Sequence, residues 1–246
     1  KTAGIKDAVF LASLLDLAGL GTLADVVPLN EENRILAING LKTLNESKRP
    51  GILALLKTAG LKTPITEDQV YFGLAPRINA AGRLEHASKA VELLLCSDQD
   101  QAVTMAEELQ RINVRRQDIG QAMQEEAFAK VTDEYIAENK VLLLCGQDWH
   151  PGVIGIVASR LVDRYNRPTV LIGINDGQAR GSARSVKGIN IYEILDHCRG
   201  LFADFGGHEG AAGFAIDPKK IPELELLLKI AAEKCIDLAD LEPKIN

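Results

Sequence analysis

Four short segments of this sequence carry residue types that packing alone does not ask for. In Phe205-Gly206-Gly207-His208-Glu209-Gly210-Ala211-Ala212-Gly213-Phe214, two glycines without side chains let backbone amides come close to an anion or a base. His208, directly after them, can donate to a phosphate oxygen. The same residues also fit a glycine turn that feeds a strand, with the histidine facing solvent. In Arg180-Gly181-Ser182-Ala183-Arg184-Ser185, strand alternation sends Arg180, Ser182 and Arg184 to one face. Two guanidinium groups and a hydroxyl there make a phosphate clamp, because a guanidinium meets phosphate as a bidentate fork. A salt-bridged edge strand accounts for these residues equally well.

The third segment, Leu74-Ala75-Pro76-Arg77-Ile78-Asn79-Ala80-Ala81-Gly82-Arg83-Leu84, reads as a proline-led loop. Its Arg77, Asn79 and Arg83 suit tracking of a nucleic-acid backbone, and an arginine-anchored interhelical loop is the plainer alternative. The fourth, Leu15 to Asp25, sets the carboxylate of Asp16 in an apolar helix end, where it needs a partner, a cap or a metal; Asp25 fits a cap. His150 before Pro151-Gly152 opens a helix whose amino end can meet an anion. Trp149 beside it, the sole tryptophan, suits either base stacking or the core.

These segments have to be held by two kinds of structure. The first part of the chain reads as helices: Ile5 to Leu20, broken at Gly19 or Gly21, then about Glu32 to Asn45, then one led by Pro50 and ending at Gly60. Thr66-Glu67-Asp68-Gln69 has the form of a capping box, and a helix from Ser88 to Leu95 follows the proline-led loop. Apolar residues at threes and fours predict one long helix from Asp98 to Asn139. Beyond it strands and helices alternate: Val141–Cys145, Pro168–Ile174, Gln178–Ser185 and Ala211–Ile216 as strands, with helices over Gly152–Tyr165, Ile191–Cys198 and Pro222–Ile236. The expected fold class is therefore α/β. Its expected divisions are helical residues 1–97, a long connecting helix over 98–139 and a compact α/β domain over 140–246, with a loose tail after Asp240.

With 46% hydrophobic residues the chain can bury at least one full core. No membrane-length apolar run occurs and Lys1 to Gly4 does not resemble a secretory signal, so a cytoplasmic location and no membrane partner are expected. The four cysteines lie too far apart for a zinc site or a disulfide framework and read as buried small hydrophobes. A net charge of −6 does not mark a nucleic-acid binder by itself. Arg160, Arg164, Arg167, Arg180, Arg184, Lys187 and Arg199 nevertheless crowd one segment, which allows a basic groove on an acidic body.

In this order the four segments, together with Trp149-His150-Pro151-Gly152-Val153-Ile154-Gly155-Ile156-Val157-Ala158-Ser159-Arg160-Leu161, resemble the RecJ exonucleases of the DHH phosphoesterase superfamily. The resemblance runs from Leu15 to Phe214. It implies the helical remainder of a DHH domain followed by an α/β DHH-associated substrate-binding domain. It also implies metal-dependent 5′-to-3′ hydrolysis of single-stranded DNA in repair and recombination.

By resemblance Asp16 is the last metal-ligand aspartate and hence a catalytic-site residue, Asp25 being a second choice. Arg77, Asn79 and Arg83 contact DNA, Ser182 and Arg184 recognise the terminal phosphate beside Arg180, and Gly206, Gly207 and His208 form the glycine-histidine motif. Manganese or magnesium is expected in the parent protein. No Asp-His-His triplet occurs and no Asp-x-Asp is identified as a ligand pair, so an incomplete metal site and an inactive fragment are expected. Single-stranded DNA, a single-strand-binding protein and a helicase are the expected partners of a monomer. The alternatives are a DHH-family oligoribonuclease or cyclic-dinucleotide phosphodiesterase, and a non-catalytic nucleic-acid-binding module.

Overall fold

The computed structural model describes residues 8–242. Residues 5–7 of the expected first helix and 243–246 of the expected tail lie outside the described residues. The chain divides into two compact units, Lys1–Arg116 and Gln117–Asn246, and one helix runs through the division.

The described part of the first unit is helical. It contains α1 (Ala8–Ala12), α2 (Leu15–Ala24), α3 (Glu31–Asn45), α4 (Pro50–Thr58), α5 (Glu67–Gln69), a π-helical turn (Val70–Leu74), α6 (Ala75–Leu84), α7 (Ser88–Leu95) and the start of α8 (Gln99–Ala129). Leu23, Leu44, Leu55, Val70, Leu74 and Leu93 lie at the centre of its core. The glycines of α2 do not end it. A Cβ on Gly19 would lie 2.4 Å from the Cα of Gly40 in α3, so the missing side chains let two helix backbones meet. The inward face of α3 is accordingly Ala37, Gly40 and Leu44, while Ile35 and Ile38 are exposed.

The expected proline-led loop is helix α6. Thr66 and Gln69 form the predicted capping box, with the Thr66 amide donating to Gln69 Oε1 at 3.0 Å. The chain then widens by one π-helical turn, closed by the Ala75 amide on the Val70 carbonyl. Pro76 enters in the first turn of α6, where its missing N–H costs no bond that the helix needs. The expected helix to Asn139 breaks after Ala129. Thr132 restarts the chain as α9 (Asp133–Glu138), its hydroxyl accepting the Tyr135 amide at 3.2 Å.

In the second unit β1 (Leu142–Gln147), α10 (Pro151–Tyr165), β2 (Thr169–Asn175), β3 (Gln178–Arg184), α11 (Ile191–Asp196), β4 (Phe202–His208), β5 (Ala211–Ile216) and α12 (Ile221–Cys235) build a five-stranded sheet with its covering helices. The strand order is β1-β2-β3-β5-β4. β1 and β2 are parallel, as the α10 crossover requires, and the remaining pairs are antiparallel. One sheet face, with Val170, Ile172, Ala183 and Phe214, closes a core with α11 and α12. On the other face α10 packs on β2 and β3.

Strand β4 is absent from the sequence expectation, which has a glycine turn there. A register shift between Phe202 and Asp204 marks a bulge. It puts Phe202 and Phe205, three apart, against the same core and erases the alternation by which a strand is recognised.

Candidate nucleic-acid interface

The strand register brings the predicted residues of the second unit into three cross-strand rows. Asp204, Ala215 and Arg180 form one, Gly206, Gly213 and Ser182 the next, and His208, Ala211 and Arg184 the third. Paired residues on adjacent strands point to the same face, so on this face β5 contributes only alanine and glycine between β3 and β4. The result is a bare strip of sheet. An open cavity of about 450 Å³ lies on it, lined by Pro151, Ile154, Arg180, Ser182, Asp204 and Gly206 among others. Arg180 also borders a second open cavity of about 490 Å³ that extends toward Gln178 and Lys219.

Ser182 and Arg184 are joined directly. The Arg184 guanidinium donates to Ser182 Oγ at 3.1 Å and to the Ala183 carbonyl at 2.7 Å. Arg180 and Ser182 line the first cavity and Arg184 stands one step behind them. The salt-bridged edge strand that the residues also allowed is not what forms, because β3 is interior to the sheet. On the opposite edge Gly206, Gly207 and His208 are all exposed. A Cβ on Gly207 would lie 2.3 Å from the Ala211 carbonyl oxygen, so only glycine allows the two strands to meet there. His208 Nδ1 accepts the Gly210 amide at 3.2 Å, which leaves Nε2 as the ring nitrogen directed away from the turn.

The start of α10 differs from expectation. Pro151 has no amide hydrogen, Gly152 donates to His150 Nδ1 at 3.1 Å, and Val153 and Ile154 donate to the His150 carbonyl at 2.9 and 3.1 Å. The first-turn amides that would hold an anion are thus engaged by His150. Trp149 does not present its ring to a ligand; it is 2% exposed. Its Nε1 donates to Glu126 Oε2 at 2.7 Å, with Lys130 over the ring. Gly146 and Gly173 give it room, since a Cβ at either would fall within 2.2 Å of Trp149 atoms. The indole is a peg that fixes the β1–α10 connection. Asp204, Pro151 and Ile154 are the cavity residues that the sequence reading missed; Asp204 sits on the unpredicted strand.

In the first unit α6 separates residues that a loop would have kept together. Asn79 and Arg83 are four apart and share an exposed helix face, whereas Arg77 is turned away and donates to the Gly73 carbonyl. Burial lowers the Arg77 guanidinium's proton affinity.

Asp16 is 3% exposed in α2. Its Oδ2 accepts Arg49 Nε at 2.9 Å and the Ser47 hydroxyl at 2.8 Å, and its Oδ1 accepts the Leu17 amide at 2.8 Å. Arg49 also donates to the Ser13 carbonyl at 2.7 Å. Among the described residues no group of three or more His, Cys, Asp or Glu side chains could hold a metal ion. Asp98-Gln99-Asp100 has Asp-x-Asp spacing that the sequence reading passed over, but Asp98 caps α8 by accepting the Gln101 amide at 2.8 Å. The described residues therefore do not by themselves fit a magnesium or manganese centre, which needs several oxygen ligands. Asp25 is exposed at the end of α2.

Comparison with known proteins agrees with the fold. Residues 138–234 match the DHHA1 domain. The RecJ single-stranded-DNA-specific exonuclease of Bacillus subtilis is 41% identical over 233 residues, which is 94% of this chain and 30% of that protein. Two crystal structures of RecJ from Thermus thermophilus, one with Mg2+ and one with Mn2+, superpose with TM-scores of 0.83 and 0.82 at 36% identity. Each superposition covers 92% of this chain, and 35% and 33% of theirs. This chain spans about a third of the length of these relatives. Over nearly all of its residues it is similar to one part of the RecJ single-stranded-DNA-specific exonucleases, and its residues 138–234 match the DHHA1 domain.

Proposed function

We propose that this chain is the substrate-gripping part of a metal-dependent exonuclease that degrades single-stranded DNA from the 5′ end, and that its β3–β5–β4 strip holds the terminal nucleotide. The carrying observation is the cross-strand arrangement of Arg180 and the Ser182–Arg184 pair opposite Gly206 and His208, with only small residues between. The bare strip admits a flat base or sugar, and a guanidinium with a hydroxyl at its edge suits a phosphomonoester. Asp204 on the same cavity is an acceptor for a base or sugar donor. The relatives named as single-stranded-DNA-specific exonucleases support the substrate class, and those solved with Mg2+ and Mn2+ support metal dependence of the whole protein.

Asp16 is assigned as the one metal ligand within these residues, a reading supported by its burial and by the resemblance of the Leu15 to Asp25 segment. A single carboxylate does not hold the ions that such hydrolysis uses, so this chain alone is assigned no hydrolytic activity. Residues 1–97 are assigned to the DHH domain, 98–139 to the connection and 140–246 to the substrate-binding domain. Asn79 and Arg83 are assigned to the DNA backbone, and Arg77 to holding the π-helical turn. Roles in repair and recombination, beside a single-strand-binding protein and a helicase, extend from the same resemblance. Among the described residues no helix is long and apolar enough to cross a membrane.

The test is fluorescence-anisotropy binding of this chain to a short oligothymidylate with either a 5′-phosphate or a 5′-hydroxyl. The phosphorylated strand is expected to bind more tightly. Arg184→Ala should remove about 1.5–3 kcal/mol of that preference, as loss of a charge-assisted hydrogen bond does, and leave hydroxyl-ended binding nearly unchanged. Equal losses on both strands would refute the phosphate assignment.

A further inference from the structure

Helix α10 contains an interior glycine, Gly155, fully enclosed within its packing on β2 and β3. Glycine in a helix interior sacrifices stability relative to alanine, and at this buried position the vacated space is filled by the phosphate-site side chains. A Cβ on Gly155 would lie 2.6 Å from Arg184 Nη2, 2.9 Å from Ser182 Oγ and 3.2 Å from Arg184 Cζ. No backbone atom is among these nearest neighbours. The niche in the helix is therefore filled by the Ser182 hydroxyl, whose residue lines the cavity, and by the Arg184 guanidinium behind it, and those two groups are bonded to each other through Arg184 Nη1.

We infer that Gly155 is the positioning residue of the phosphate site: the gap it leaves in α10 holds the Arg184 guanidinium against Ser182 and so sets discrimination between phosphorylated and hydroxyl strand ends. The inference rests on the reading of Ser182 and Arg184 given above. Its physical content is a separation of two effects. Alanine at 155 meets only the far end of a flexible side chain and a hydroxyl, so the helix tolerates it and gains propensity. The guanidinium, however, has to swing out of the niche and away from Ser182. A glycine needed only for helix–sheet packing would behave in the opposite way, because a clash with backbone lowers stability and leaves ligand preference alone.

Three variants of this chain, Gly155→Ala, Arg184→Ala and the double variant, separate the possibilities when each is measured for thermal midpoint and for affinity toward 5′-phosphorylated and 5′-hydroxyl oligothymidylate. Gly155→Ala is expected to melt at or above the parent's temperature while its preference for the phosphorylated strand falls about tenfold or more, the scale of one lost charge-assisted bond. On the Arg184→Ala background the same substitution is expected to change that preference little, because its effect runs through the removed guanidinium. Retention of the preference by Gly155→Ala while Arg184→Ala loses it would overturn the inference and leave the functional reading intact. So would a Gly155→Ala chain that melts well below the parent, or equal further loss on the double background. Absence of any phosphate preference in the parent, or its survival in Arg184→Ala, would overturn the functional reading itself.

Discussion

At the scale of single residues, the buried polar groups of Asp16 and Trp149 are both satisfied by neighbours that sequence alone does not bring close. Asp16 is met by Ser47 and Arg49, more than thirty positions away, and Trp149 by Glu126, twenty-three positions before it. Lys130, and then the Trp149 indole, hold the Glu126 carboxyl below its usual range. A depressed carboxyl contributes stability that is present above its unfolded value, near 4.3, and is lost as pH falls through the folded value. The Glu126 side chain is 47% exposed, so solvent screens the Lys130 pair and its share is under about 1 kcal/mol. Glu126→Gln keeps an acceptor for Trp149 and removes the charge. It should cost less than about 1 kcal/mol at pH 7 and nothing at strongly acidic pH, where the parent is also neutral. Urea denaturation at the two pH values checks this, and an equal cost at both would mean that shape rather than charge matters.

At the scale of elements, glycines do different work within one helix. Gly19 lies against the backbone of Gly40, while a Cβ on Gly21 would meet nothing within 4 Å. Gly21→Ala should stabilise the chain by about 0.5–1 kcal/mol through helix propensity. Gly19→Ala should destabilise it by about 1–3 kcal/mol, because two backbones have to separate. Denaturant midpoints of the two variants compare the effects directly; a stabilised Gly19→Ala chain would mean that α2 and α3 can part cheaply. Gly155 is the intermediate case, in which the neighbour is a side-chain end. Helix α6 shows the same dependence on context: a proline, two arginines and small residues read as a loop until the preceding π-helical turn delivers Pro76 to a position that a helix accepts.

At the scale of the molecule, the acidic total of −6 coexists with a cavity lined by Arg180 and Ser182 and backed by Arg184, because net charge says nothing about which charges share a face. The cysteines are also sorted by the fold and not by type. Only Cys198 is fully buried, Cys96 and Cys145 are half-buried and Cys235 is exposed, which corrects the expectation that all four are core residues. Burial pushes the thiols of Cys145 and Cys198 up to about 11, so about a thousandth of each is thiolate at pH 8. A thiol-reactive disulfide reagent at pH 8 should therefore label Cys235 first, and should label Cys145 and Cys198 only after denaturation. Rapid native labelling of Cys198, followed by peptide mapping, would show that the α11 side of the core opens.

The linear sequence by itself determined the local features whose physics is local: the Thr66–Gln69 capping box, the Pro50 helix start, and strands β2, β3 and β5 to within a residue or two. It also determined that Arg180, Ser182 and Arg184 share a face, because period-two alternation does not depend on what lies opposite. Tertiary structure alone decided what each residue faces. The bulge at Phe202–Asp204 hid β4 from any alternation count. The His150 cap closed the α10 amides that composition left open, and the Asp16 carboxylate found Arg49 across the chain. The close approaches that give Gly19 and Gly155 their meaning arise only when separate elements are packed, since a missing side chain acquires a role from the atom that takes its place.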